Sequence, residues 1–146
     1  MYLYGVSLGG IIQTHYMLED NANTPYSGMV SYGVPFKPDE SLHAFKSNGY
    51  GFYDWFLGLF INLWARTLID DLAKFTSKEK MEIYRNGLYN ESFRLTSFDS
   101  HFIAPMFGFK DSMEYYKAGR IADKLHKIKK CPTMFLEAWD DVLMAP

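Results

Sequence analysis

The chain opens with an apolar run, Tyr2-Leu3-Tyr4, that passes into Gly5-Val6-Ser7-Leu8-Gly9-Gly10 and leaves through Ile11-Ile12. Ile11, Ile12, His15, Tyr16 and Glu19 then recur at helical spacing, and Asn21, Asn23 and Pro25 close the segment. A second apolar run, Met29 to Val34, is bounded by Pro25 and Pro35, the profile of a buried parallel strand. The order strand, helix, strand predicts parallel strands joined by a crossover helix, and so a doubly wound, mostly parallel α/β sheet.

From 36 to 109 the pattern turns helical and aromatic, and no further strand of comparable quality occurs before Thr133. Phe52 to Phe75 is the main amphipathic helix, with a break expected near Gly58, and Ser77 to Tyr84 a second, where Ser77-Lys78-Glu79-Lys80 resembles a capping box. Asp111 to Lys117 forms a third, ended around Gly119. Thr133 to Ala138 follows Pro132 as a strand and runs into Asp140-Asp141. The 146 residues therefore read as one partial domain: 1–35 as first strand, helix and second strand, 36–109 as a helical cap insertion, and 110–146 as the return to the core with an acid-bearing strand.

Composition narrows the picture. With 48% hydrophobic and 18% aromatic residues the chain can bury a core. A net charge of −2 and no basic stripe interleaved with aromatics give no case for nucleic acid. Lys124, Lys127, Lys129 and Lys130 read as a solvated helix end, and the lone Cys131 has no partner for an internal disulfide. The strongest apolar stretch, Trp55 to Ala65, is interrupted by Asn62 and falls well short of the roughly 20 residues that span a bilayer. The aromatic and methionine content of the insertion suits core filling, and it also suits the walls of an acyl-chain pocket.

Candidate chemistry centres on Ser7. Glycine two residues before and two after a serine, between a strand and a helix, is the layout of a nucleophile elbow, where close backbones exclude a β-carbon. A serine hydroxyl needs a histidine base, and that base an orienting acid. Asp141, with Asp140 as the alternative, stands in the loop after the last strand, where such an acid is expected. The Leu8 N–H is one expected donor to an oxyanion. His15 and Asp20 also show a His-x4-Asp spacing, but residues five apart on a helix point to different sides.

Several blocks in order extend this pattern: the elbow, then Ser97-Phe98-Asp99 with Phe102 and Ala104-Pro105-Met106-Phe107-Gly108-Phe109, then Tyr115-Tyr116, and Leu136-Glu137-Ala138-Trp139-Asp140-Asp141. In these the chain resembles group 4 of the AB-hydrolase family, whose members include eukaryotic membrane-tethered phospholipases and esterases and bacterial YheT-type esterases. The resemblance covers nearly the whole chain and is weakest over 36–75. It implies an internal fragment: the C-terminal part of an α/β-hydrolase fold, with strands expected upstream of the elbow. It also implies a serine hydrolase acting on lipid carboxylic esters, using no metal or organic cofactor, with a membrane surface as a plausible partner of the full-length protein.

The sequence departs from the family at two places. The family's triad histidine follows the acid by some tens of residues, and His15, His43, His101 and His126 all precede Asp141, so the triad histidine is expected to be absent from the chain. Val142 stands where many relatives carry proline. The 146 residues alone are thus expected to be inactive and to associate through an open sheet edge. The alternative function is a non-catalytic α/β-hydrolase-like protein that binds a lipid or a partner.

Overall fold

The computed structural model describes residues 1–20, 23–91 and 93–141. The chain divides into two compact units, one made of Met1–Ala44 with Gly119–Pro146 and the other of Phe45–Ala118.

The first unit holds three parallel strands in the order β1 (Tyr2–Val6), β2 (Gly28–Tyr32), β3 (Thr133–Leu136). The register pairs Val6 with Tyr32 and Tyr32 with Leu136, which brings the carboxyl ends of all three strands to one edge. Helix α1 (Leu8–Glu19) is the crossover between β1 and β2. It is tied to the sheet by Gln13, whose Nε2 donates to Val30 O at 2.9 Å and to Ser31 Oγ at 2.6 Å. Two small apolar clusters flank the sheet, Ile11 with Val34 and Ile121, and Met17 with Met29 and Cys131. The strands end earlier than their apolar runs suggest: Gly33 takes φ 58°, which bends the chain out of β2, and β3 stops at Leu136. Helix α2 (Pro38–Ser47) begins with Asp39 and Glu40, both bound by Arg120 at 3.1 and 2.8 Å.

The second unit is helical: α3 (Phe52–Leu72), α4 (Lys78–Asn86), α5 (Leu95–Phe98), α6 (Ala104–Met106) and α7 (Ser112–Ala118), with π-helical turns at Gly87–Glu91 and Asp99–Ile103. Its core gathers Ala65, Ile69, Met81, Tyr84, Leu88, Phe98 and Phe102. Helix α3 does not break at Gly58, as the sequence suggests. A β-carbon there would lie 2.2 Å from the backbone of Arg94 and Leu95, so this glycine serves close packing of α3 on the start of α5. Ser77 does cap α4, its Oγ accepting from Lys80 N at 3.3 Å. Only half of a capping box is present, because Lys80 stands where the reciprocal acceptor would be needed.

Buried polar groups of α3 hold the rest of this unit. Asp54, 1% exposed, receives Thr96 N at 3.0 Å and Thr96 Oγ1 at 3.3 Å, with Arg94 at 3.6 Å, so a carboxylate from one helix satisfies one amide and one hydroxyl at the start of another. Asn62 Nδ2 donates to Leu88 O at 2.7 Å inside the first π-turn.

Candidate active site

Ser7 lies between β1 and α1 with φ 52° and ψ −121°, a conformation that side-chain-bearing residues rarely adopt. It is held there by its own backbone: Ser7 N donates to Tyr32 O at 2.9 Å, and Ser7 O accepts from Gly10 N at 2.9 Å and Ile11 N at 3.3 Å. The side chain is exposed. Leu8 opens α1, and the first amides of a helix have no acceptor within it.

The glycine frame works differently from expectation at one position. At Gly5 a β-carbon would meet Gly9 O at 2.7 Å and the Gln13 side chain at 2.7 Å, as a tight elbow requires. At Gly9 it would meet nothing within 4 Å, so the close approach assigned to Gly9 from sequence belongs to Gly10, whose β-carbon would lie 2.2 Å from Val34 Cγ2. Gly9 instead lines a groove of about 340 Å³ with Tyr4, Ile12, Gln13, Tyr16 and Tyr26.

The candidate acids follow β3. The ladder continues past the strands through Gly33 N to Leu136 O at 3.0 Å, and Glu137 Oε1 accepts from Val34 N at 3.0 Å. The chain then turns, Asp141 N donating to Ala138 O at 3.2 Å. Asp141 is half-buried, and its Oδ2 stands 4.0 Å from where a β-carbon of Gly33 would be, whereas Asp140 is exposed. Ser7 and Asp141 therefore converge on the end of β2, one through Tyr32 and the other beside Gly33. Val142 to Pro146, which entered the choice between the two aspartates, lie outside the described residues.

Of the histidines, His15 lies on α1 with a buried Nε2 that has no hydrogen-bond partner among the described residues. Asp20, paired with it by spacing, instead accepts from Tyr16 OH at 3.1 Å. His126 is exposed, and in the second unit exposed His101 places Nδ1 3.1 Å from Ser97 O. Sequence reasoning missed Glu137 and Val34, which support the elbow and acid loop. Glu137 was legible only as one acid in a strand-end block, because its acceptor role depends on strand pairing 103 residues away.

The second unit places Tyr115, Tyr116 and Asp99 together, the residues of the middle sequence block. Tyr116 OH donates to Asp99 Oδ2. Burial raises the Asp99 carboxyl to about 6, the Tyr116 hydrogen bond opposes that rise, and the nearby Asp54 charge adds to it.

Three known proteins resemble the chain over nearly its full length. "Monoacylglycerol lipase" of Saccharomyces cerevisiae is 28% identical over 146 residues, 98% of this chain and 31% of the relative. "Protein abhd-3.2" of Caenorhabditis elegans is 26% identical over 144 residues, 94% of this chain and 34% of the relative. "Medium-chain fatty acid ethyl ester synthase/esterase 2" of Saccharomyces cerevisiae is 25% identical over 175 residues, all of this chain and 36% of the relative. The chain spans about a third of the length of these relatives. No protein-family profile and no solved structure matches it. The fold is α/β, a three-stranded parallel sheet whose second and third strands are separated in sequence by a helical unit, and the proteins the chain is similar to include a lipase and an esterase.

Proposed function

We propose that the chain supplies the nucleophile and acid of a serine hydrolase that cleaves carboxylic esters of lipids, of the phospholipase and esterase type found in group 4 of the AB-hydrolases. The observation that carries the reading is the Ser7 backbone, φ 52° and ψ −121°, locked at a strand-to-helix junction. Such strain costs about 1–3 kcal/mol and is retained where exposure of the side chain is useful. That favours catalysis over a binding-only protein, which has no need of a strained serine.

In this reading Ser7 Oγ attacks the ester carbonyl, and the Leu8 N–H donates to the developing oxyanion. A histidine outside the four of this chain takes the serine proton and passes it to the leaving alcohol. Asp141 orients that imidazole, and water then releases the acid from the acyl-serine. Residues 36–109 are the cap insertion in this reading. The whole protein works at a lipid membrane.

The decisive experiment labels a longer protein carrying this segment with a fluorophosphonate probe, beside Ser7→Ala. Labelling should vanish in the variant, and equal labelling of the two refutes the assignment.

A further inference from the structure

Three consecutive residues at the end of β2 serve both halves of the candidate site. Tyr32 O receives Ser7 N at 2.9 Å. Val34, 1% exposed, packs with Ile11 and Ile121 and sets its Cγ2 over Gly10, where a β-carbon would lie 2.2 Å away. Gly10 N in turn donates to Ser7 O, so the core fixes Val34 against the first turn of the helix that follows the serine. Gly33, at φ 58°, bends the chain between Tyr32 and Val34. Past that bend Val34 N–H finds its acceptor in a side chain of the other strand end, Glu137 Oε1 at 3.0 Å.

The acid loop meets the sheet through that bond. The last backbone rung, Gly33 N to Leu136 O at 3.0 Å, lies five residues before Asp141. Glu137 to Asp140 are all exposed, so hydrogen bonds rather than apolar packing place this stretch. The turn closes on itself through Asp141 N and Ala138 O at 3.2 Å. Such a closure fixes the shape of the turn, and contacts with the sheet fix where it stands. The Glu137 carboxylate, a charged acceptor on a backbone amide, ties the first residue of the loop to a buried and rigid point. Asp141 Oδ2 then stands 4.0 Å from the β-carbon position of Gly33, within the same three residues that hold the serine.

We infer that Glu137 is a positioning residue for ester hydrolysis, acting through its hydrogen bond to Val34 N to hold Asp141 in register with Ser7. The inference rests on the serine-hydrolase reading above, in which Asp141 orients the imidazole. Glutamine at this position keeps an acceptor oxygen and loses the charge, so it separates placement of the loop from the field of the carboxylate.

The test uses a longer, active protein carrying this segment, with hydrolysis of p-nitrophenyl butyrate as the assay. Glu137→Ala should lower kcat about 10- to 100-fold and leave KM nearly unchanged, since misplacing a catalytic group by about 1 Å costs up to about a hundredfold and the acid does not bind the ester. Glu137→Gln should recover most of that loss. In an Asp141→Asn background Glu137→Ala should cost less than about twofold, because an acid already removed is not misplaced further. Glu137 is exposed, so circular dichroism should show the fold retained. Wild-type kcat in Glu137→Ala, a glutamine variant as slow as the alanine one, or losses that multiply with Asp141→Asn would each overturn the inference. Lost turnover in Ser7→Ala and Asp141→Asn with none in Glu137→Ala overturns this inference alone, whereas retained turnover in either of the first two overturns the reading beneath it.

Discussion

Asp99 should make the second unit less stable as pH rises through the mildly acidic range. Its carboxyl is raised to about 6 from an ordinary 3.8, chiefly by burial. The native state therefore holds this proton more tightly than the unfolded chain. The stability it contributes is complete below the unfolded value and is lost as pH climbs through about 6. At about 1.4 kcal/mol per pH unit the full loss is about 3 kcal/mol, a large share of a small domain's stability. Asp99→Asn removes the titration and leaves an amide oxygen to accept the Tyr116 hydroxyl. Urea unfolding of both chains between pH 4 and 7.5 isolates the effect, because other titrating groups cancel in the difference. The variant should gain about 2.5 kcal/mol on wild type across that range, whatever constant offset the amide introduces. Tyr116→Phe should widen the span, since that hydrogen bond opposes the rise. A difference that stays flat with pH, or runs the other way, refutes the argument that burial outweighs the hydrogen bond.

Neighbouring glycines should respond oppositely: Gly9→Ala enters open space on a helix and should stabilise by about 0.5–1 kcal/mol, whereas Gly10→Ala meets Val34 and should cost about 1–3 kcal/mol, largely restored by Val34→Ala in a denaturation double-mutant cycle. Ser7→Gly, which tolerates φ 52°, should raise the unfolding free energy by about 1 kcal/mol while abolishing fluorophosphonate labelling. In a longer active protein, Asp141→Asn should cut turnover by about 10³- to 10⁴-fold and Asp140→Asn by little, and the reverse order would exchange their roles.

Much of the first unit is legible in sequence because its signals are local. Gly5-Val6-Ser7-Leu8-Gly9-Gly10 between two apolar runs specifies strand, turn and helix together, and the runs after Pro25 and Pro132 mark the other two strands. The roles of Gly9 and Gly10 are not legible, since both are helical and only the position of Val34 tells them apart. Gly58 misleads for a related reason: alone it looks like a helix breaker, and the chain that packs against it lies more than thirty residues away. The π-turns at 87–91 and 99–103 carry no local signature. One is braced by Asn62, and a β-carbon on Gly87 would lie 2.0 Å from His101 O in the other. At the site, Ser7 announces itself by chemistry and spacing, while Glu137 becomes visible only once β2 and β3 are paired.

That pairing has a consequence for how the chain is made. Val34 and Glu137 meet across 103 residues, so β2 leaves the ribosome with one edge open and keeps it open until the helical segment has been synthesised. The second unit, by contrast, is built from one continuous stretch, Phe45–Ala118, and can close while β3 does not yet exist. Closing so long a loop adds only modestly to the entropic cost, because each doubling of length adds about 0.6 kcal/mol, but it delays the sheet relative to the helices. During that interval the edge of Gly28–Tyr32 that β3 later covers stays free and invites pairing with a neighbouring chain. Substitutions that slow folding of the helical unit should therefore appear first as aggregation nucleated in the sheet, far along the sequence from the altered residue.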